Sequence, residues 1–191
     1  MNRPSIRSLV PLAFVACLLA GAAWAAGGLL DRSFRPLAGR TPVNLAQTYG
    51  GQVLLVVNTA SKCGYTPQYE GLEALHARYA AQGFAVLGFP SGDFRDQEFE
   101  DEARIREFCT LTYGVKFPMF QRVHVVGAEA TPLYRDLARQ AGQAPKWNFH
   151  KYLVSREGRV VASFESRVRP DAPELVAAIE RELKARPPRR R

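Results

Sequence analysis

Apolar runs and amphipathic stretches alternate through the first half of the chain. Val53 to Asn58 and Phe84 to Pro90 are short and almost wholly apolar, which predicts two buried strands. Pro67 to Ala81 instead carries apolar residues at helical spacing, and similar spacing returns from Asp101 to Leu111. The pattern predicts the order β-α-β-α, with the two strands parallel because a helix connects them.

The second half predicts a short strand, a helix, a strand hairpin and a last helix. The hairpin signal is a turn at Glu157 and Gly158 between two apolar runs. The predicted segments are a strand at Val123 to Val126, a helix capped by Thr131, strands at Lys151 to Val154 and Arg159 to Phe164, and a helix from Pro173 to about Lys184. This order is typical of a thioredoxin-like α/β fold, a central mixed β-sheet flanked by helices.

The N-terminal segment has the order of an export signal. Two arginines precede an apolar run from Leu9 to Gly21, and Ala23-Trp24-Ala25 provides small residues for cleavage. We therefore expect residues 1–25 to be a signal peptide, which places the mature protein in the periplasm. An uncleaved membrane anchor and a cytosolic leader are the alternatives, since no charged residue follows the apolar run until Asp31.

Composition and charge favour one globular domain over a nucleic-acid-binding protein. The chain has 191 residues, 47% of them hydrophobic, which is enough for a sizeable core. Its net charge of +8 comes partly from a Pro-broken basic tail, residues 185–191, which we expect to be a solvated terminus. No base-stacking aromatics accompany these arginines, so we expect no nucleic-acid partner. Residues 26–44 form a lead-in, and residues 45–184 form the domain.

The cysteine and histidine counts limit the chemistry. Three cysteines are too few for a disulfide scaffold, and the three histidines lie far apart, so we expect no metal site. Cys17 falls in the export signal and is expected to leave with it. The thiols of the mature chain are then Cys63 and Cys109, and their chemistry is expected to be catalytic or redox.

Cys63 lies between the first predicted strand and the helix that follows it. Backbone amides at a helix start favour an anion, and Lys62 adds a neighbouring positive charge. The alternative is a buried, inert thiol, but a loop at a helix start is a poor place to bury sulfur. We therefore expect Cys63 to be a reactive thiolate.

Four segments resemble motifs of the glutathione peroxidases. The run Asn58-Thr59-Ala60-Ser61-Lys62-Cys63-Gly64-Tyr65-Thr66-Pro67-Gln68-Tyr69 is similar to the active-site signature of that family. Further similar segments follow in the family's order: Gly88-Phe89-Pro90 with Phe94 to Glu98, Tyr113 to Pro118, and Trp147 to Val154. The resemblance runs from about Leu45 to Leu183, and it implies an enzyme that reduces hydrogen peroxide and organic hydroperoxides without a cofactor.

The resemblance also implies a tetrad of Cys63, Gln97, Trp147 and Asn148. In it the sulfur reduces the peroxide, and the other side chains donate hydrogen bonds around the sulfur. Amide and indole N–H groups suit that role, because they stabilise an anionic sulfur and the negative charge that develops on the leaving oxygen. Taken singly, Trp147 fits the core, Asn148 a turn and Gln97 a solvated loop, but their joint occurrence favours catalysis.

Cys109 matches the position of the resolving cysteine in the thioredoxin-dependent members of the family. The implied cycle oxidises Cys63 to a sulfenic acid, joins it to Cys109 as a disulfide, and reduces that disulfide with a thioredoxin-like dithiol. Glutathione is the less favoured donor. The helix around Cys109 would have to unwind locally, because disulfide-bonded residues have Cα atoms within about 7 Å. Core packing is the alternative role for Cys109.

The sequence departs from the family pattern at two places. Ser91-Gly92-Asp93 replaces a usual Cys-Asn-Gln, and the carboxylate of Asp93 would disfavour a neighbouring thiolate and lower reactivity. The segment 141–146 is short where tetrameric, glutathione-using relatives carry an assembly loop, so we expect a monomer.

Two other functions compete with peroxide reduction. A thiol–disulfide oxidoreductase needs a second cysteine three residues after the first, but Thr66 occupies that position relative to Cys63. A redox sensor or binding protein with little peroxidase turnover remains the alternative, because one fold hosts many functions.

Overall fold

The computed structural model describes residues 28–185 of the chain, so the predictions for the signal peptide, Cys17 and the tail beyond residue 185 lie outside it. In this range no helix has the length and apolar character that crossing a membrane requires. The elements are β1 (Ser33–Phe34), β2 (Val43–Asn44), α1 (Leu45–Tyr49), β3 (Val53–Thr59), α2 (Gln68–Tyr79) with a 3₁₀ turn (Ala80–Gln82), β4 (Phe84–Pro90), α3 (Glu102–Tyr113), α4 (Pro132–Ala141), β5 (Lys151–Val154), β6 (Val160–Phe164) and α5 (Pro173–Lys184).

The main sheet has the strand order β4-β3-β5-β6. β3 and β4 pair in parallel, with Val53 opposite Phe84 at one end and Thr59 opposite Pro90 at the other. α2 makes this pairing possible, since parallel strands need a long crossover connection. β5 pairs antiparallel with both β3 and β6. The predicted mixed sheet is confirmed, as are both of its parallel strands and the hairpin.

Helices cover both faces of this sheet. Val53, Leu55 and Val57 of β3 pack in one apolar cluster with residues of α2, α3 and α5. Leu54 and Val56 pack in a second cluster with residues of α1 and α4. A strand buried on both faces has no polar alternation, which is why the sequence of β3 is an unbroken apolar run.

The short strand predicted at Val123 to Val126 is wrong. The chain before it pairs with β4 at an isolated bridge between Gly88 and Met119, and the Val123 N–H donates to the Pro90 carbonyl at 2.9 Å, but no ladder continues from there. The backbone N–H groups of Val125 and Val126 then donate to the carboxylate of Asp93, at 2.6 and 3.1 Å, instead of to a neighbouring strand. The carboxylate of Asp93, which is distant in the sequence, thus takes the place of the backbone hydrogen bonds that a strand would form with its neighbour.

The prediction that the Thr131 side chain caps α4 is wrong. Thr131 occupies the N-cap position of α4, but its hydroxyl makes no capping bond and is buried without a partner. Pro132 follows at the first helical position, where a proline removes one of the N–H groups that a cap would satisfy. The lead-in contains the β1–β2 pair, which the sequence did not predict, and its residues Leu29 and Leu30 are buried in the core. The short helix α1, at the start of the domain, was not predicted either.

Candidate active site

Cys63 lies in the turn after β3 and is 8% exposed. α2 begins only at Gln68, so the sulfur is not at the helix N-terminus where the sequence placed it. Thr66 builds the turn, because its hydroxyl accepts the Cys63 N–H at 3.0 Å and donates to the Ala60 carbonyl at 2.8 Å. The Tyr65 N–H points at the sulfur, 3.4 Å away. The backbone N–H of Tyr65 therefore provides the hydrogen bond to sulfur that was expected from the N-terminus of a helix.

Lys62 connects the Cys63 turn to the loop after β4. Its backbone N–H donates to the Gln97 carbonyl at 2.8 Å. Its ammonium group lies 4.7 Å from the centre of the Phe99 ring and 3.4 Å from the Glu98 carbonyl oxygen. The positive charge next to Cys63 therefore packs against the 97–99 loop and fixes that loop beside the thiol.

Two predicted site residues, Gln97 and Asn148, are in direct contact. The side-chain amide of Asn148 donates to the side-chain oxygen of Gln97 at 3.0 Å. Asn148 is fully buried, and its own side-chain oxygen has no hydrogen-bond partner. Because the bond uses the oxygen of Gln97, the amide N–H groups of Gln97 are the donors that this pair can offer to sulfur or peroxide.

Trp147, the third predicted donor, precedes Asn148 in a turn that is held by Asn58 of β3. The Asn58 side chain donates to the Trp147 carbonyl at 3.1 Å and accepts the His150 N–H at 3.1 Å. The Phe149 N–H donates to the Asn58 carbonyl at 2.6 Å, and Phe149 adopts a left-handed φ of 64°. Such a φ is costly for a residue with a large side chain, so the turn depends on these bonds.

The Trp147 ring is half-buried and packs against the apolar cluster that contains Cys63 and Cys109. Its other contacts are the Phe94 ring, with centroids 5.6 Å apart, and the Arg95 guanidinium, 5.5 Å from the indole centre. The structure thus brings Gln97, Asn148 and Trp147 to the side of the core where Cys63 lies, while their catalytic roles stay predictions.

Lys151 also holds this turn, although no sequence motif points to it. The side chain is fully buried, and its ammonium group donates to the Phe149 carbonyl at 2.7 Å. Burial lowers the pKa of Lys151 to about 7. A buried lysine cannot be recognised from sequence, since lysines are almost always exposed.

Cys109 lies on the inner face of α3 and is 2% exposed. Burial raises the pKa of its thiol to about 11; the nearby Tyr69 hydroxyl lowers it and the Glu98 carboxylate raises it. Cys63 and Cys109 are both free thiols, and they belong to the same apolar cluster. The two predicted redox residues therefore share one region of the core.

Glu98 is a buried carboxyl that the sequence analysis did not single out, although it follows Gln97 directly. One of its oxygens accepts the N–H groups of Ser61 and Phe99, at 3.1 and 2.9 Å. The other oxygen is buried without a partner. Burial raises the pKa of Glu98 above its ordinary value, and hydrogen bonds from Ser61 and Phe99 only partly oppose this.

Asp93, expected near the thiol, is bound by the segment 124–126 instead. Its carboxylate accepts the N–H groups of Val125 and Val126 and lies 2.6 Å from His124 Nδ1. Partial burial raises the pKa of Asp93, but the hydrogen bonds from Val125, His124 and Val126 outweigh this and leave the pKa below its ordinary value.

A cavity of about 460 Å³ opens beside Trp147. The side chains of Arg95, Lys146 and Arg167 give its wall positive charge, and Glu165 contacts the latter two at 3.4 Å. Within residues 28–185 there is no group of three or more His, Cys, Asp or Glu side chains that could hold a metal ion.

Comparison with known proteins shows which family the chain belongs to. A family model described as "Glutathione peroxidase" matches residues 29–138. The chain belongs to the glutathione peroxidase family. The chain is 49% identical to a "Glutathione peroxidase" of Lactococcus lactis over 127 residues, which cover 64% of the chain and 81% of that protein. The predicted family and enzyme class are confirmed.

Two other relatives carry more specific names. The chain is 46% identical over 153 residues to "Hydroperoxy fatty acid reductase gpx1" of Synechocystis, covering 75% of the chain and 89% of that protein. It is 46% identical over 125 residues to "Glutathione peroxidase-like peroxiredoxin gpx1" of Schizosaccharomyces pombe, covering 63% of the chain and 79% of that protein.

Solved structures confirm the thioredoxin-like fold. The crystal structure of Trgpx in apo form aligns with a TM-score of 0.67 and 32% identity, over 85% of this chain and 100% of that one. A thiol:disulfide interchange protein of the thioredoxin family from Chlorobium tepidum aligns with a TM-score of 0.58 and 16% identity, over 83% and 98% of the two chains. At 16% identity, the similarity to the Chlorobium tepidum protein concerns the fold alone.

Proposed function

We propose that this enzyme is a thiol peroxidase in which Cys63 reduces the peroxide, Cys109 resolves the oxidised Cys63, and a thioredoxin-like dithiol restores both thiols. The observation that carries the proposal is the bond between Asn148 and Gln97, which the Lys62 N–H ties to the Cys63 turn. This arrangement holds neutral amide groups beside a cysteine, where an anion has to be stabilised.

In the first step the Cys63 thiolate attacks one oxygen of the peroxide. The S–O bond forms as the O–O bond breaks, and the second oxygen leaves as an alcohol or as water after taking a proton. The Gln97 amide and the Trp147 indole are the donors proposed for the negative charge that develops on that oxygen. Because they are held in place before the reaction, they need little reorganisation when it occurs.

In the second step the Cys109 sulfur attacks the Cys63 sulfenic acid, and a disulfide and water form. α3 buries only two of its residues, Ile105 and Cys109. A helix with so little buried surface opens locally at a low free energy, which lets its thiol leave the core. The shared cluster of Cys63 and Cys109 supports this pairing.

In the third step an external dithiol reduces the disulfide. The peroxiredoxin name of the Schizosaccharomyces pombe relative supports a thioredoxin-like donor over glutathione, and the Synechocystis name supports organic hydroperoxides as substrates. We propose further that the protein is a monomer, and that residues 1–25 export it to the periplasm. A periplasmic dithiol system is then the source of electrons.

The test is a steady-state assay of the purified chain with hydrogen peroxide or cumene hydroperoxide, using reduced thioredoxin or glutathione as donor. We expect peroxide-dependent oxidation of thioredoxin at a much higher rate than of glutathione. In the full-length chain with its leader retained, Cys63→Ser abolishes it, whereas Cys17→Ser, a cysteine replacement in the leader, leaves it unchanged. An absence of peroxide consumption overturns the proposal, and equal rates with the two donors overturn the choice of reductant.

A further inference from the structure

The Phe99 side chain connects the Cys63 turn to α3. Its ring is half-buried and packs against the apolar cluster that contains both cysteines. The ring centre lies 4.7 Å from the Lys62 ammonium group and 4.2 Å from the Arg104 guanidinium. It also lies 5.9 Å from the centre of the Phe108 ring, in an edge-to-face arrangement with an interplanar angle of 74°. The ring therefore contacts the residue that precedes each of the two cysteines.

The backbone of Phe99 is fixed on the side of the Cys63 turn. Its N–H donates to one carboxylate oxygen of Glu98 at 2.9 Å, and the same oxygen accepts the Ser61 N–H at 3.1 Å. Glu98 is buried, so water does not compete for these bonds. The ring therefore keeps its place relative to Cys63 when α3 moves.

Few contacts attach α3 to the core. Only Ile105 and Cys109 are buried on it, so the half-buried Phe108 contributes a substantial part of the attachment. Because Phe108 is adjacent to Cys109 in the chain, it has to move when that thiol leaves the core. The contact between Phe99 and Phe108 therefore opposes this movement.

Two cations orient the Phe99 ring. A cation is attracted to the face of an aromatic ring, and the attraction is stronger where water is partly excluded. Phe99 receives one cation, Lys62, from the Cys63 turn and another, Arg104, from α3. Together they hold the ring in the orientation that presents it to Phe108.

We propose that Phe99 is a positioning residue that holds α3 closed over Cys109 and so sets how fast this thiol reaches the oxidised Cys63. This role rests on the proposed function, in which α3 opens locally before the disulfide forms. An edge-to-face aromatic pair opposes such opening only modestly, so the ring slows disulfide formation by about fivefold and does not prevent it.

The rate of this step decides between two fates of the Cys63 sulfenic acid. Attack by Cys109 forms the S–S bond, breaks the S–O bond and releases water. A second hydroperoxide instead transfers an oxygen atom to the sulfenic acid, which gives a sulfinic acid and an alcohol, or water from hydrogen peroxide. The sulfinic acid cannot form the disulfide. By slowing the first reaction, Phe99 makes the enzyme more sensitive to inactivation at high peroxide concentration.

The experiment is a single turnover of the reduced chain with one equivalent of hydrogen peroxide, quenched with acid and analysed by mass spectrometry. Phe99→Leu keeps an apolar side chain but removes the ring. We expect oxidation of Cys63 at the wild-type rate and disulfide formation about fivefold faster. Phe99→Tyr keeps the ring and restores the wild-type rate. Phe164→Leu, which replaces a half-buried phenylalanine of β6 in the same cluster, is the matched control and leaves disulfide formation unchanged.

The cation contact is tested separately, because Arg104 is exposed on the surface of α3. Arg104→Gln removes the charge over the ring, and we expect disulfide formation about threefold faster. Arg104→Lys retains a cation and stays close to the wild type. In the Phe99→Leu background Arg104→Gln has no further effect, since the ring through which it acts is missing. Arg106→Gln, at an exposed arginine of the same helix, behaves as wild type.

Over-oxidation of Cys63 provides a second readout. With excess peroxide and a reducing donor, we expect Phe99→Leu to accumulate less sulfinic acid than the wild type after the same number of turnovers. Equal rates of disulfide formation in the wild type and Phe99→Leu overturn the role of Phe99. An equal acceleration in Phe164→Leu also overturns it, because it would show a general loosening of the core. If Phe99→Leu does not fold, an unchanged rate in Arg104→Gln refutes the proposal.

Failure of the proposed function has a different signature. If the wild type forms no Cys63–Cys109 disulfide, that function is wrong, whereas the restraint on α3 is still measurable in the reduced protein by hydrogen exchange. There we expect amides of residues 109–115 to exchange about fivefold faster in Phe99→Leu than in the wild type. Equal exchange in the two proteins shows that Phe99 does not restrain the helix.

Discussion

The Asn148 side chain donates a hydrogen bond to the Gln97 side chain, 51 residues earlier in the sequence, over 3.0 Å. The bond joins the turn before β5 to the loop after β4. Both segments lie at the end of the sheet where β3 finishes and the Cys63 turn begins. The amide of Gln97 is thereby oriented by a residue that is itself fully buried. We therefore expect Asn148 to act on the peroxide reaction at least partly through Gln97.

Replacing Asn148 tests this relationship. Asn148→Ala removes the bond to Gln97, and we expect the second-order rate constant for oxidation of Cys63 to fall about 10- to 100-fold, since a lost donor to a developing anion has effects of that order. Stopped-flow measurement with hydrogen peroxide gives the constant. Asn44→Ala is the matched control: Asn44 caps α1, so this variant loses about 1 kcal/mol of stability but no reactivity. Equal rates in both variants would contradict the role of Asn148.

We expect Asp93 to contribute stability rather than to disfavour the Cys63 thiolate. Asp93→Ala removes the acceptor for Val125, Val126 and His124, so we expect the free energy of unfolding in urea at pH 7 to fall by about 1–3 kcal/mol. Because the folded-state pKa of Asp93 is lowered, its contribution is present above the ordinary pKa. It is lost as the pH falls through the lower folded value, and the two proteins converge in acid.

The rate at which iodoacetamide alkylates Cys63 is the second measurement on Asp93→Ala. We expect it to match the wild type at each pH in a Cys109→Ser background, because the carboxylate is engaged by the segment 124–126. A faster alkylation without Asp93 would restore the expectation from sequence that this carboxylate restrains the thiol.

The periodicity of apolar residues was sufficient to predict the main helices and strands. It was not sufficient to predict local structures that depend on contacts with residues distant in the sequence. β3 and β4 were recognisable because strands buried on both faces are apolar throughout. The β1–β2 pair has only two residues per strand, which leaves no pattern to detect. Val123 to Val126 looks like a strand, and only the contact with Asp93 shows why it is not.

The same limit applies to the site. The resemblance to the glutathione peroxidases, which rests on local motifs, implied Cys63, Gln97, Trp147 and Asn148. Glu98 and Lys151 were not predicted, because a charged residue in a sequence is expected to be exposed, and its burial depends on how the whole chain packs.

Lys151 predicts a characteristic dependence of stability on pH. Its pKa is about 7 in the folded protein and 10.5 ordinarily, so between these values the unfolded chain holds a proton that the folded chain lacks. Raising the pH in this window therefore favours folding. Relative to Lys151→Met, the free energy of unfolding of the wild type rises by up to about 1.4 kcal/mol per pH unit.

Urea unfolding at pH 7, 8 and 9 measures this difference, and Lys116→Met, an exposed lysine, controls for the replacement itself. We also expect Lys151→Met to oxidise Cys63 more slowly, because the Phe149 carbonyl loses its donor and the turn that carries Asn148 loosens. A pH-independent difference in stability would show that Lys151 stays charged when buried.

In the proposed cycle, we expect formation of the Cys63–Cys109 disulfide to require that α3 opens near its C-terminal end. Leu111, two residues after Cys109, is 76% exposed. The helix is capped by Gly114, which has a left-handed φ of 61°, and hydrogen bonds to the carbonyls of Cys109 and Thr110 close this end. Pulling Cys109 toward Cys63 breaks this last turn, whereas the first turn is held by the Asp101 cap. We therefore expect amides of residues 109–115 to exchange much faster in the oxidised than in the reduced protein, and amides of residues 102–106 to be unaffected.

Hydrogen exchange followed by mass spectrometry gives this comparison. Cys109→Ser treated with peroxide is the control, since it oxidises Cys63 but forms no disulfide, and its α3 should stay protected. If the wild type forms the disulfide while residues 109–115 keep their protection, the Cys63 turn moves instead. That turn depends on the Thr66 hydroxyl, which bonds Cys63 and Ala60, so Thr66→Val would then change the rate of disulfide formation. With a mobile α3, Thr66→Val affects mainly the oxidation of Cys63.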